Sequence, residues 1–551
     1  MNTGTSALLL LMGLLLLPAP LRAQIVSLAD LSKQAEKLEK QHDWLEACSL
    51  YREVLDRDRT RDDVRLAYQR CLRRYHIVHR HQDKVYRQAL TRVTPAKALE
   101  MYEQVLNTIA NTYVDRDKTS PAALFRQGID ELRFALDETI FRAEYFPGIP
   151  RETLEAFKNR LEDWRDGRSR KIDTRFDACD QVKAVGLTAQ QMGVGPRAIL
   201  LTVITLEFLS GACNALDEYT FFLTPGHYRE VQAALRGRLV SIGVEPTVVE
   251  KRLEVLRVYP RSLAWDADLR PGDRILRIDG QPTDDMSAEV AASLLRGKSG
   301  SVVEVEVVSM SRPEPQVTLK LTRRPVIVPS VEPPTLLPEP LYAVGDDGMM
   351  QAVPVGKLTI TSFQETTLQE VKEALAALQS DGMKALILDL RGNPGGLFKS
   401  AVQVAELFLP EGVIVVSQSH ALPKRLSGPI RSESMNPLRI PMVVLVDGDT
   451  ASAAEVLAGA LKDNGRATLI GQTTFGKGSI QCVIPLEKPP FDRMPGGIRM
   501  TVARLLSPNW QPFSIKGIQP THPSYADREG ILQEAKQALL EMVNSMQPMM
   551  E

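Results

Sequence analysis

Cysteine is scarce: Cys48, Cys71, Cys179, Cys213 and Cys482 are the only five in 551 residues, and none share a metal-type spacing. That argues against a zinc-ribbon or a disulfide-framework fold. In an oxidising compartment Cys48 and Cys71 could staple neighbouring helices, and the odd count leaves at least one thiol unpaired. Cys482 adjoins Gln481 with no matching base and reads as a buried neighbour. An excess of either charge is also missing, since 67 basic and 68 acidic residues give a net charge of −1. No whole-chain field therefore favours nucleic acid or an anionic membrane. Histidine numbers seven; His76, His79 and His81 lie in an arginine-rich helical stretch that reads as a solvated face. His420 and His522 sit in proline-flanked loops. Neither a metal nor an organic cofactor is implied.

Long apolar runs are few. Ala7 to Leu17 is too short to span a membrane comfortably, and Leu21-Arg22-Ala23 ends in the small residue that precedes a signal cleavage site. Residues 1–23 thus read as a signal peptide, with an uncleaved anchor as the alternative, and the destination as periplasmic or extracellular. The absence of cysteine after Ala23 speaks against a lipoprotein. Ala198 to Leu216 is apolar but carries Thr202, Thr205, Glu207, Ser210 and Asn214, so it is predicted as a core helix.

The length allows several cores. Residues 24–140 are helical by period and propensity, and Ala35, Ala47, Tyr51 and Val54 fit the small-and-aromatic spacing of a tetratricopeptide helix pair. Such a unit would dock on the body, form an oligomer interface or hold a protein partner. Residues 141–225 read as a helical insert leading into a domain of short alternating strands at 226–328. There Arg270-Pro271-Gly272-Asp273 turns into the strand Arg274 to Ile278, and Asp279-Gly280 makes a hairpin turn. A helix from Ser287 to Leu295 and two β runs, Ser301 to Val308 and Gln316 to Leu321, complete a PDZ-like pattern. Its ligand loop would be Ser241-Ile242-Gly243-Val244, with the N–H groups of Ile242, Gly243 and Val244 offered to a peptide carboxylate. An α/β core at 340–525 and an amphipathic helix within 526–551 follow.

The chemistry concentrates in two segments of that core. Ile440 to Val446 is a buried-strand pattern, and Ala453 to Asn464 is a helix closed by Gly465, so Ser452 falls at a strand-to-helix turn. Unpaired N–H groups collect there and suit a developing oxyanion. Downstream, Lys477 lies in Thr474-Phe475-Gly476-Lys477-Gly478. A lysine takes a serine proton only as the neutral amine. Holding it neutral at pH 7 against a reference value of ~10.4 costs roughly 4.6 kcal/mol, which burial must supply. Phe475 and the small glycines suit a close-packed enclosure, and Gln481 offers an uncharged amide to orient the amine. A second turn, Asp389 to Gly396, follows the strand Ala385 to Leu388 and is predicted to face the serine.

Together these motifs resemble the C-terminal processing (tail-specific) peptidases, PDZ-containing serine proteases. The resemblance covers about residues 100–525. It implies a PDZ-like β domain and an α/β crotonase-like protease core, which with the helical, partly TPR-like N-terminal region make a multidomain α+β protein. It implies Ser452 as nucleophile, Lys477 as general base and Gln481 as the residue that positions the lysine. The oxyanion donors would be the N–H groups of Ala453 and of Gly395, or else Gly396. Leu216 to Pro225 resembles the family's segment leading into the PDZ domain, with Glu218 in place of a proline. Substrates would be proteins or peptides with exposed C-termini. The rival expectation is an inactive PDZ and helical-repeat scaffold that tethers exported proteins.

Overall fold

The computed structural model describes residues 27–545 apart from 167–170, 195–196, 250–251, 285, 287, 310–314, 345–348 and 487–495. The expected signal segment, 1–23, lies outside the described residues, as does Ser287. Among the described residues no helix is long and apolar enough to cross a membrane.

Helices fill the chain from Leu28 to Asn214. Ser27 caps the first, Leu28–Lys40, by accepting the Asp30 N–H, and Thr94 caps Pro95–Thr112 with proline in its first turn. Leu28–Lys40 and Trp44–Arg57 bury Ala35, Ala47, Tyr51 and Val54 in a small core shared with Asp62–Gln82, as the small-and-aromatic spacing predicts. Cys48 and Cys71 lie in the same core as free thiols, so no staple joins them. A second core runs without a break from Ile77 to Leu216, so residues on both sides of position 140 pack as one body.

The solvated face expected at His76, His79 and His81 is not there. His79, Arg80 and His81 are buried at the end of Asp62–Gln82. Arg80 donates to Glu207 at 2.6 Å, His81 Nε2 lies 2.9 Å from Glu207, and His79 Nε2 is 2.6 Å from His227 Nε2. The reason is tertiary: this helix end is enclosed by Pro121–Asp137 and Arg197–Asn214, and the core helix carries Glu207 as the counter-charge.

A six-stranded antiparallel sheet forms the PDZ-like part, in the order Val244–Val249, Arg252–Val258, Arg274–Ile278, Val302–Val308, Gln316–Thr322, with Gln281–Pro282 beside Arg274–Ile278. The predicted turn is present, with Asp279 at φ 48° and Gly280 at φ 77°. Helix Ala288–Leu295 packs beside Val244–Val249, the outermost strand of that order.

The α/β core is a sheet of Thr335–Leu336, Val355–Thr359, Ala385–Asp389, Met442–Val446, Thr468–Gly471 and His522–Pro523, parallel from the second strand on. Ala385–Asp389 and Met442–Val446 are wholly buried, because helices cover both faces. Thr367–Ser380, Phe398–Glu406 and Ala453–Asp463 cover one face and Arg528–Ser545 the other. A second sheet joins Phe221–Leu223 to Gly497–Leu506, which also pairs with Ser479–Pro485 and Val413–Gln418. The fold is thus the expected multidomain α+β arrangement, and the segment leading into the PDZ-like part contributes a strand to the second sheet of the core.

Candidate active site

Ser452 sits where the sequence places it, at the step from Met442–Val446 to helix Ala453–Asp463. Its backbone, at φ 54° and ψ −115°, is strained for a residue with a side chain, and such strain survives only where surroundings enforce it. The surroundings are the predicted second turn. Ala451 N–H donates to Asn393 O at 2.9 Å, Thr450 Oγ1 donates to Leu390 O at 3.0 Å, and Asp447 accepts the Gly392 N–H at 3.0 Å. Gly395 presses on the serine so closely that a Cβ there would lie 2.8 Å from Ser452 Cβ.

The two glycines of that turn differ. Gly395 N–H donates to Asn393 Oδ1 at 2.8 Å, so the first-choice oxyanion donor is already engaged. Neither Gly396 N–H nor Ala453 N–H has an acceptor among the described residues. Asn393 itself is buried and anchored to Ile360 O at 2.7 Å, which fixes the turn.

A residue that sequence reasoning passed over ties the serine turn to the lysine loop. Glu455 is fully buried. Its Oε2 accepts Ser452 N–H at 2.7 Å and Lys477 N–H at 2.8 Å, while Oε1 accepts Gly476 N–H at 2.7 Å and the Thr474 hydroxyl at 2.6 Å. Burial raises its pKa against the pull of these four donors. The signal was in the sequence as Ser452-x-x-Glu455, the spacing at which a third-position carboxylate reaches back to the N-cap amide.

Lys477 is 3% exposed. Burial, and after it the Arg499 charge, hold its amine well below the ordinary lysine pKa, against the smaller pulls of Glu455, Asp217 and Glu218. The expected enclosure by Phe475 and the glycines is only part of the cause. Gly476 and Gly478 abut Ile515 and Ser514, but the roof comes from the N-terminal helices. Arg52 stacks 3.7 Å over the Phe475 ring, and Arg59 Nη1 donates to Thr474 O at 2.8 Å and Ile515 O at 3.1 Å. The amine lies 4.8 Å from the centre of the Tyr219 ring. No hydrogen bond joins it to the Ser452 hydroxyl.

Gln481 makes no hydrogen bond to the amine either. Its Nε2 donates to Ser479 Oγ at 2.8 Å and Thr501 Oγ1 at 3.4 Å, and its Oε1 faces Arg499 at 3.5 Å. His420 and His522 are exposed. In the PDZ-like part Ile242 is buried in the core, and Gly243, at φ 93°, donates its N–H to Ser241 Oγ at 2.8 Å. Val244 begins the edge strand to which a peptide could add. Among the described residues no cluster suits a metal ion.

The sequence pattern of Peptidase family S41 matches residues 354–524, and that of a PDZ domain matches 254–309. The chain is 35% identical over 311 residues to the carboxyl-terminal-processing protease of Synechocystis, covering 55% of this chain and 67% of that protein. It is 35% identical over 309 residues to the one from Picosynechococcus, covering 55% of this chain and 69% of that protein. Over 374 residues it is 33% identical to the chloroplastic carboxyl-terminal-processing peptidase 2 of Arabidopsis thaliana, covering 66% of this chain and 68% of that protein. The chain belongs to the C-terminal processing peptidases and is a serine-type peptidase.

Proposed function

We propose that this is an exported endopeptidase that holds a protein's C-terminal tail in its PDZ groove and cuts it at Ser452. Lys477 takes the proton from the Ser452 hydroxyl as Oγ attacks the scissile carbonyl carbon. The oxyanion of the tetrahedral intermediate accepts hydrogen bonds from Ala453 N–H and Gly396 N–H. The C–N bond then breaks, Lys477 returns its proton to the leaving amine, and an acyl-enzyme remains. Water, deprotonated by the same amine, attacks the ester and releases the acid and the serine. Gln481 steadies the lysine once it swings toward the serine.

The observation that carries this reading is the Glu455 clasp beside a buried lysine. It fixes the backbones of Ser452 and Lys477 on one carboxylate, while the lysine side chain sits where its cation is disfavoured. Catalytic hydrogen bonds often close only in the substrate complex, and this reading has the amine reach the hydroxyl when a tail binds. Export rests on the sequence of residues 1–23 alone.

The test uses an unfolded substrate with an apolar tail. Ser452→Ala and Lys477→Ala should each abolish cleavage with the fold intact, and the Ser452→Ala protein should still retain bound tails. Undiminished turnover in either variant rejects the assignment.

A further inference from the structure

Strand Gly497–Leu506 is buried at every position from Gly497 to Ala503, yet its third residue is an arginine. Arg499 is 7% exposed. Its nearest polar partner is the Gln481 amide oxygen at 3.5 Å, and its guanidinium lies 5.8 Å from the centre of the Phe221 ring. Among the described residues it has no carboxylate within ion-pair distance. The comparable buried arginines of the helical body differ, since Arg74 sits on Glu138 at 2.7 Å and Arg80 on Glu207 at 2.6 Å. An unpaired charge in such a place is costly, and a strand this apolar would accept leucine or methionine there without that cost.

What Arg499 faces is the cavity that holds the Lys477 side chain, and the two residues line it together with Glu218, Tyr219 and Phe475. We propose that Arg499 is a positioning residue for the base: a fixed cation, buried beside Lys477, whose field opposes a second positive charge and so keeps the amine free to accept a proton. The inference rests on the reading of Lys477 as the general base. A lysine is activated in this way wherever another cation is held next to it out of water.

Of the charged groups around Lys477, Arg499 acts on the amine more strongly than any single anion. From helix Trp44–Arg57 come Arg52 and Asp56, bonded to each other at 2.8 Å. The turn after it and helix Asp62–Gln82 add Arg59, Arg65 and Tyr68, which contribute no anion at neutral pH. Glu455 spends both oxygens on four donors, as described. Asp217 accepts Tyr113 OH at 3.2 Å and Tyr219 N–H at 3.0 Å. Burial pushes the Glu218 carboxyl up, toward its neutral form. Burial also lowers Arg499 itself, to about 10, which leaves it charged at pH 7.

The experiment measures kcat/KM of the full-length chain on a fluorogenic peptide from acid to alkaline pH. It compares the parent with Arg499→Gln, Arg499→Met and Arg499→Lys, with thermal melts to verify folding. The acid limb reports the titration of the free enzyme's base. In the Gln and Met variants its midpoint should move up by about one pH unit or more, the range that one nearby like charge commands. Activity at pH 7 should then fall about tenfold where the parent midpoint lies above 7 and less where it lies below, and recover at higher pH. Arg499→Lys should shift it less. An unmoved midpoint with activity lost at every pH would make Arg499 merely structural, and a change confined to KM would make it a substrate contact; either overturns the proposal. Turnover in Lys477→Ala would instead remove the base reading itself, so the two failures are told apart.

Discussion

The backbone N–H groups of Ser452 and Lys477 converge on one atom, Glu455 Oε2, at 2.7 and 2.8 Å. Two segments 25 positions apart in sequence are thereby held in register by a carboxylate that no solvent reaches.

Replacing that carboxylate should uncouple the two segments. Glu455→Gln keeps one acceptor oxygen but turns an NH₂ toward donors, and each buried donor left without an acceptor costs about 1–3 kcal/mol. We expect a lower melting temperature and kcat reduced by about a hundredfold, since small misplacements of reacting groups cost that much. Unchanged kcat in a folded Glu455→Gln protein would show that the clasp is only structural.

Lys477 should act against stability at neutral pH. Its folded pKa is depressed, so between that value and the unfolded value of ~10.4 the unfolded chain binds one proton more than the native one, and stability rises with pH through that window. Lys477→Met removes the penalty. Its melting temperature should exceed the parent's at pH 7, by about 2–4 °C for each kcal/mol gained. The difference should close as the pH approaches ~10.4; a gap that widens toward alkaline pH would contradict the buried neutral amine.

Gly395 cannot take a side chain without moving the serine. It has φ 91°, and a Cβ would meet Ala451 O at 2.7 Å and Ala453 N at 2.8 Å. Gly395→Ala should therefore fold but lose at least about a hundredfold in kcat, the scale of a lost oxyanion donor. Steady-state kinetics with a short peptide checks this.

Arg59 ties the lysine loop to the N-terminal helices through Thr474 O and Ile515 O. Hydrogen bonds from a charged donor contribute roughly 1.5–3 kcal/mol each. Arg59→Ala should speed amide exchange at Phe475 to Gly478 at least tenfold, as local opening there becomes easier. Exchange unchanged from the parent would mean that the helices merely lie alongside.

Gly243 in the PDZ-like part is wedged against Ser262, where a Cβ would come within 2.0 Å of the serine Cβ. Gly243→Val should weaken binding of a C-terminal peptide to the Ser452→Ala protein. In the otherwise unchanged chain it should leave hydrolysis of a short untailed substrate intact. Loss of both activities would place the glycine in the core's own stability.

Local pattern carried much of this protein. The alternation of the PDZ strands, the Asp279-Gly280 turn, the apolar run into Ser452 and the glycines around Lys477 each act through neighbours a few residues away, so period and turn chemistry suffice to read them. The Ala198 to Leu216 helix was legible too, because one glutamate among apolar residues marks a core helix. The histidine-rich end of Asp62–Gln82 misled, since its burial depends on Glu207, Glu131 and His227, more than fifty positions away. That Gly395 N–H is held by a side-chain amide two residues back was not legible in the turn's glycine pattern. The dryness of Lys477 depends on Tyr68, Arg52 and Arg499, which sequence distance hides and only packing assembles. Sequence thus determined which groups can react; tertiary structure decided which stay charged, because desolvation and field depend on what distant segments bring within a few ångströms.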